Sequence, residues 1–369
     1  MREPADGRAD GRVRVLHAVK TLGLGGTEKV MQLLVRHLDA ERFEVAVHSP
    51  EDGPRALLVR EGGAATYVGL GLERALAAFC PQVVHVHRAG WPEPELLRPV
   101  RDFVAAHPET VVVETNVFGR HDPSPSGRVI NCHLFVSEFC AQRFTRQTGI
   151  PAQWPDYGVL YNPVDTDFFA AALPDGPAFD APVLGRISRP DPGKWSTLAL
   201  AILPLLARGV PGLRCRVIGG IPEAEAYVRQ HGLEAQVEFL PPVGTDAELA
   251  AFYGGISALA HANDTGESFG LVIAEAMACG LPVVTHPAAG ERDNAQLELV
   301  EHGVTGLVAE TPEQYAQAVA WLFSHPAEAR AMGRAGRAKA ARLFRAQDIA
   351  ARLGGMYLDL LARKGRAAR

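Results

Sequence analysis

A chain of 369 residues is long enough for two domains of ordinary size, and 47% hydrophobic residues supply a core for each. Its net charge of -5 excludes a general nucleic-acid binder, and its hydrophobic content excludes wholesale disorder. Five scattered cysteines without C-x-x-C spacing point to neither a zinc site nor a disulfide framework, so a reducing cytoplasm fits best.

Residues 1 to about 11 read as a disordered tail without the apolar segment of a signal peptide. No run reaches the roughly 20 apolar residues of a membrane span. Val13 to Val19 reads as the first strand. Gly23-Leu24-Gly25-Gly26 follows, then Thr27 as N-cap of a helix with Glu28 in its first turn. Val30, Met31, Leu33, Leu34 and Leu38 give that helix its apolar face. Strand, glycine loop and helix open a nucleotide fold. The loop is not G-x-G-x-x-G, however, and a turn that merely needs glycine reads the same.

Phe43 to His48, Pro81 to His87 and Thr110 to Thr115 read as further strands. His85 and His87 share one strand face. No third ligand is evident beside them, so a core or cleft-lining role outweighs a metal site. The loop 116–123 leaves the carboxyl end of a strand, where parallel sheets bind ligands, and it contains Asn116 and His121.

Val183 to Ser188 reads as a strand leading into a basic loop with Arg186, Arg189 and Lys194. Such cations can offset phosphate charge, or simply be solvated on a loop. Arg214 to Ile218 is the next strand, turned by Gly219-Gly220. Val237 to Leu240 precedes the turn Pro241-Pro242, Asp246 starts a helix, and Ile256 to Ala260 enters the most informative stretch.

That stretch is Glu267 to Gly280. Good helix formers run from Leu271 to Cys279, Gly280 stops the helix, and Pro282 to Val284 reads as a buried strand. Glu267 stands before the helix and Glu275 inside it, separated by roughly 8–10 Å at about 1.5 Å per residue. Between them lie the unbonded N–H groups of the helix start, an anion site. Carboxylate, anion cradle and second carboxylate match the sugar hydroxyls, diphosphate and ribose hydroxyls of a nucleotide sugar. On spacing alone, an amphipathic helix with one buried end fits as well. Further on, Arg330, Arg334, Arg337, Lys339, Arg342 and Arg345 recur at about helical spacing. A solvated face is the leading reading of this run, and a surface for anionic lipid or polyanionic acceptor the minor one.

The stretch from Glu267-Ser268-Phe269-Gly270-Leu271 to Glu275-Ala276-Met277-Ala278, with Gly280 and Pro282-Val283-Val284, resembles the two-glutamate signature of family 4 glycosyltransferases. Gly25-Gly26-Thr27-Glu28, the Val-His-Val-His strand ending at His87, and Ser137-Glu138 resemble other motifs of that family. Tyr161-Asn162-Pro163-Val164-Asp165 resembles its interdomain linker, with Pro163 in place of glycine. The resemblance covers about residues 13–345.

It implies an α/β protein of the GT-B fold, two Rossmann-like domains facing across a cleft. An acceptor-side domain would span residues 12–165 and a donor domain 166–345, with a helix at 346–369 crossing back to the first. The implied reaction moves a sugar from a nucleoside-diphosphate sugar to a hydroxyl acceptor, with anomeric retention, by same-face displacement. No metal or other cofactor is implied. Glu267 would hold sugar hydroxyls, Glu275 the ribose, and Arg186 and Lys194 the diphosphate. Gly25, Gly26, Ser268, Phe269, Gly270, Leu271, Gly219 and Leu240 would complete the donor contacts. The family's histidine near the start of the 116–123 loop is replaced by Asn116, so Asn116 or His121 would line the sugar pocket. The base, the sugar, the acceptor, the oligomeric state and a peripheral contact with the inner membrane face stay open. So do two alternatives: a sugar-nucleotide 2-epimerase of the same fold, and a binding protein with a decayed acceptor site.

Overall fold

Two parallel sheets carry the chain in a computed structural model that describes residues 11–367. All of the expected disordered tail except Gly11 lies outside the described residues.

The first unit comprises residues up to 136, 141–163 and 346 onward. Its seven strands are β1 (Val13–Ala18), β2 (Phe43–Ser49), β3 (Ala65–Val68), β4 (Val83–Arg88), β5 (Val111–Asn116), β6 (Cys132–Phe135) and β7 (Tyr157–Val159), in the order β3-β2-β1-β4-β5-β6-β7. Burial on both faces explains the near-continuous valines of β4 and β5, whose residues are all buried. One face packs Leu16, Val84 and Val86 against Leu97 and Val100, and the other packs Val47 against Met31 and Val35. The helix Ala346–Ala367 belongs to this unit: Tyr357 meets His85 at 2.5 Å, and Trp154 donates to Asp359 at 2.9 Å.

The second unit comprises residues 137–140 and 164–345. Its strands are β8 (Val183–Ile187), β9 (Arg214–Ile218), β10 (Val237–Leu240), β11 (Ala258–Ala260), β12 (Val283–Thr285) and β13 (Gly306–Val308). Their order, β10-β9-β8-β11-β12-β13, repeats the doubly wound order of the first six strands of the other sheet. Leu184, Val217 and Val284 pack with Ile202, Leu206 and Val319 from the flanking helices.

Two local expectations change. The first helix runs Gly26–His37 and is capped by Gly25, not Thr27, because the Gly25 carbonyl already accepts from Lys29 N at 3.1 Å. A Cβ on Gly25 would fall 2.2 Å from Glu28 Oε2, the far end of a flexible side chain, so a larger residue there would displace the glutamate. The basic run on the helix Pro326–Phe344 is only partly a solvated face. Arg337 donates to the carbonyls of Leu173, Pro174 and Cys279, Lys339 to Glu298 O at 2.8 Å, and Arg345 just beyond the helix pairs with Asp167. Arg330, Arg334 and Arg342 remain exposed.

Among the described residues, no helix is long and apolar enough to cross a membrane.

Candidate active site

In the second unit the strand order reverses between β8 and β11. Loops leaving the carboxyl ends of these strands flank that switch point, where open α/β sheets bind ligands. The loop after β8 carries Arg189 and Lys194, and the loop after β11 carries residues 261–268.

Glu267 is the centre of this group. Its Oε1 accepts from Lys194 Nζ at 2.8 Å, Asn263 Nδ2 at 2.8 Å and His261 Nε2 at 3.2 Å. Oε2 has no hydrogen-bond partner among the described residues, and the side chain keeps 18% of its surface exposed. Burial by itself would raise the carboxyl pKa. The hydrogen bond from His261 and the charge of Lys194 outweigh it and hold the group at about 2. Glu267 is therefore an anion with one oxygen fixed and the other open.

The backbone of Glu267 is held from both sides. Its N–H donates to Gln296 Oε1 at 3.1 Å, and its carbonyl accepts from Ala295 N at 2.9 Å. Gly266 has φ +66°, and a Cβ there would lie 1.6 Å from the Asp293 carbonyl oxygen. Only glycine fits that turn.

Arg186 is buried at the end of β8. Its guanidinium donates to Ala262 O at 2.7 Å and to Lys194 O, and stacks on Trp195 with Cζ 4.3 Å from the ring centroid. Burial lowers its pKa to about 10, so it stays charged at neutral pH. Arg186 thus ties together the two loops that carry Lys194 and Glu267, while Arg189 is exposed. Gly219 serves the same loop. Its φ is +85°, a Cβ there would meet Ser188 O at 1.9 Å, and its carbonyl accepts from Trp195 Nε1 at 3.0 Å. Leu240 is half-buried at the end of β10.

The helix Leu271–Ala278 begins at Gly270, whose φ of +104° requires glycine. Ile273 and Ala274 donate to Gly270 O, and the N–H groups of Leu271 and Val272 have no acceptor within the helix. Ser268 O accepts from Ser137 Oγ at 2.7 Å. The Phe269 ring is core, edge-on to Phe344 at 5.1 Å. Glu275 is 2% exposed, with Tyr253 OH 3.1 Å from its Oε2. Helix and stop follow the sequence reading: Cys279 is the C-cap and Gly280 has φ +78°.

In the first unit, Gly25 and Gly26 follow β1, and Asn116 ends β5. The Asn116 amide faces the chain itself: Nδ2 donates to Arg120 O at 2.8 Å and Oδ1 accepts from Arg120 N at 3.1 Å. It closes the loop beneath which Arg88, Glu114 and Asp122 form buried ion pairs. His121 is exposed, its ring edge-on to Phe144 at 5.8 Å.

The third histidine that the sequence did not reveal is His17 of β1, beside His85 and His87. One nitrogen from each lies within 4.8 Å of the others, close enough to consider a metal. His85 and His87 stack at 4.4 Å with a 12° interplanar angle. His17 Nδ1 and His87 Nε2 are hydrogen-bonded at 2.9 Å, and both His85 nitrogens face hydroxyls, of Tyr357 and Thr115. One hydrogen bond and ring stacking thus hold a histidine column, in which His17 Nε2 and His87 Nδ1 are buried without a hydrogen-bond partner among the described residues.

Sequence reasoning also missed His261, Asn263 and Gln296. Their only signal was polar character next to apolar strands, where a buried side chain must find partners.

Two Rossmann units, the second presenting a carboxylate–lysine pair and a helix start at its switch point, define a GT-B protein. Residues 178–339 match the family described as glycosyl transferases, group 1. A GDP-mannose-dependent alpha-(1-6)-phosphatidylinositol monomannoside mannosyltransferase of Mycolicibacterium smegmatis is 34% identical over 224 residues, 55% of this chain and 56% of that protein. This chain thus spans little more than half the length of that relative. A D-inositol 3-phosphate glycosyltransferase of Geodermatophilus obscurus is 29% identical, covering 86% of this chain and 78% of that protein. Among solved structures, HepE of Anabaena in complex with UDP and glucose superposes with a TM-score of 0.74 at 18% identity, over 94% of this chain and 100% of that one.

Proposed function

We propose that this protein transfers a sugar from a nucleoside-diphosphate sugar to a hydroxyl acceptor with retention of anomeric configuration. The observation that carries the reading is Glu267, anionic, with Oε1 fixed and Oε2 open beside Lys194 and a helix start. Oε2 accepts hydroxyls of the donor sugar and supports positive charge developing on it. Lys194 and the N–H groups of Leu271 and Val272 take the diphosphate and stabilise it as it leaves. Glu275 takes the ribose. The departing phosphate helps deprotonate the acceptor hydroxyl on the same face. Because protein cations already face the phosphates, the reaction proceeds without a divalent metal, and full activity in a chelator is the expected result.

The names of the relatives supply the substrates to try. GDP-mannose and UDP-glucose are the donors, and inositol 3-phosphate and a phosphatidylinositol mannoside the acceptors. A thermal-shift screen of these donors should find one that stabilises the protein, since a ligand at 100 times its dissociation constant adds about 2.7 kcal/mol. Product formation with that donor tests the reading, and failure of every donor to bind would overturn it. The lipid acceptor implies peripheral contact with a membrane, for which Arg330, Arg334 and Arg342 are the exposed cations of the basic run. Co-sedimentation with anionic vesicles tests that contact.

A further inference from the structure

We infer that His261 is a positioning residue that, oriented by Thr285, fixes the Glu267 carboxylate so that Oε2 is presented to the donor sugar. This rests on the reading of Glu267 as the ligand of sugar hydroxyls.

The hydrogen-bond directions follow from the acceptor. A carboxylate only accepts, so the proton of His261 sits on Nε2, 3.2 Å from Glu267 Oε1. In the neutral ring Nδ1 is then an acceptor, and Thr285 Oγ1 at 3.0 Å donates to it. The result is one directed chain, Thr285 to His261 to Glu267. All of its supports are interior: Thr285 is 0% exposed, Asn263 3% and His261 5%. The sheet register fixes its spacing, because His261 N donates to Val284 O at 2.8 Å, beside Thr285 on β12. Tyr315 OH binds the carbonyls of Val284 at 2.6 Å and His261 at 3.3 Å, tying the two strand ends together.

This arrangement limits the freedom of Glu267 in a specific way. Lys194 can move to a phosphate when the donor binds, since it is a flexible chain with a point charge. His261 and Asn263 cannot follow, because the interior holds them. They keep Oε1 in place when the lysine leaves, and Oε2 keeps its aim.

The test uses His261→Phe, which fills the space without a donor, His261→Gln, which can restore an N–H near Nε2, and Thr285→Val. Loss of a hydrogen bond to a charged group corresponds to a roughly 10- to 100-fold fall in kcat/KM for His261→Phe. Binding of the nucleoside diphosphate, measured by calorimetry, should stay within twofold of wild type, because that ligand lacks the donor sugar that Oε2 holds. His261→Gln should recover most of the loss. Thr285→Val should lose less, and add nothing in the His261→Phe background. A carboxyl titration of Glu267 by NMR provides a readout independent of turnover: its pKa should rise in His261→Phe and return toward wild type in His261→Gln. An unchanged carboxyl titration in His261→Phe overturns the inference, as does equal weakening of nucleotide and nucleotide-sugar binding. Absence of transfer by wild type overturns the proposed function, while the carboxyl titration still decides the role of His261.

Discussion

Lys194 Nζ stands 2.8 Å from Glu267 Oε1, so the cation suited to a diphosphate is paired with the carboxylate suited to a sugar. Both side chains are only about one-fifth exposed, at 21% and 18%. Under the proposed function, donor binding divides this pair. Lys194→Ala should lower turnover by about 10²-fold or more, as loss of one preorganised electrostatic donor does. It should also let the Glu267 carboxyl titrate higher, because the lysine charge helps hold it down. Near-normal turnover would remove Lys194 from the phosphate site.

The two oxygens of Glu267 predict a graded series. Glu267→Gln keeps the shape and an acceptor, so it should retain partial activity, while Glu267→Ala should lose far more. Proton NMR of early product should show the donor's anomeric configuration. An inverted product would contradict retention. A sugar trapped on Glu267 would replace same-face displacement by a covalent route.

Glu267 also sets an acid dependence. Its folded pKa of about 2 lies below the model-compound value of 4.5, so its contribution to stability is present above about 4.5 and disappears as pH falls through 2. The difference corresponds to about 3 kcal/mol at neutral pH. The stability gap between wild type and Glu267→Gln should therefore close as pH falls from 4.5 toward 2. Denaturant titrations across that range measure it, and a constant gap would contradict the depressed pKa.

Arg186 separates a clamp from a brace. Its bonds run to the carbonyls of Ala262 and Lys194. Lysine at this position keeps the charge and loses the planar fork. Arg186→Lys should lower the melting temperature as well as turnover, since each buried carbonyl left unpaired costs about 1–3 kcal/mol. A residue that only clamps phosphate would leave the melting temperature unchanged.

The histidine column predicts acid lability in the first unit. Burial lowers the pKa of His17 to about 3 and those of His85 and His87 well below their ordinary value. Below about pH 6.5 the unfolded chain binds protons that the folded one refuses, so stability falls as pH falls. Each histidine contributes up to about 1.4 kcal/mol per pH unit in that window. Urea unfolding between pH 7.5 and 5 should give a shallower slope for His17→Gln than for wild type. Equal slopes would show that His17 accepts a proton in the fold.

The signature helix was legible in the sequence almost to the residue, because helix formers, a glycine stop and a buried strand are local signals. Glu267 and Lys194 were legible for the same reason. The supports of Glu267 were not. His261 reaches it across a loop, and Gln296 reaches its backbone from 29 positions away. His17 belonged to another strand from His85 and His87, and only the strand order brings β1 beside β4. Asn116 was visible as a loop residue, but the direction of its amide depends on how residues 116–120 fold back.

The close approach of Gly266 to Asp293 bears on engineering. The loop 261–268 and the segment 293–296 are seated on one another: a carbonyl occupies the place of a missing Cβ, and Gln296 and Ala295 hold the Glu267 backbone. A loop from a relative with another sugar preference could not be grafted here alone. The two segments form one exchangeable cassette, so chimaeras that carry both should fold, and those that carry one should not.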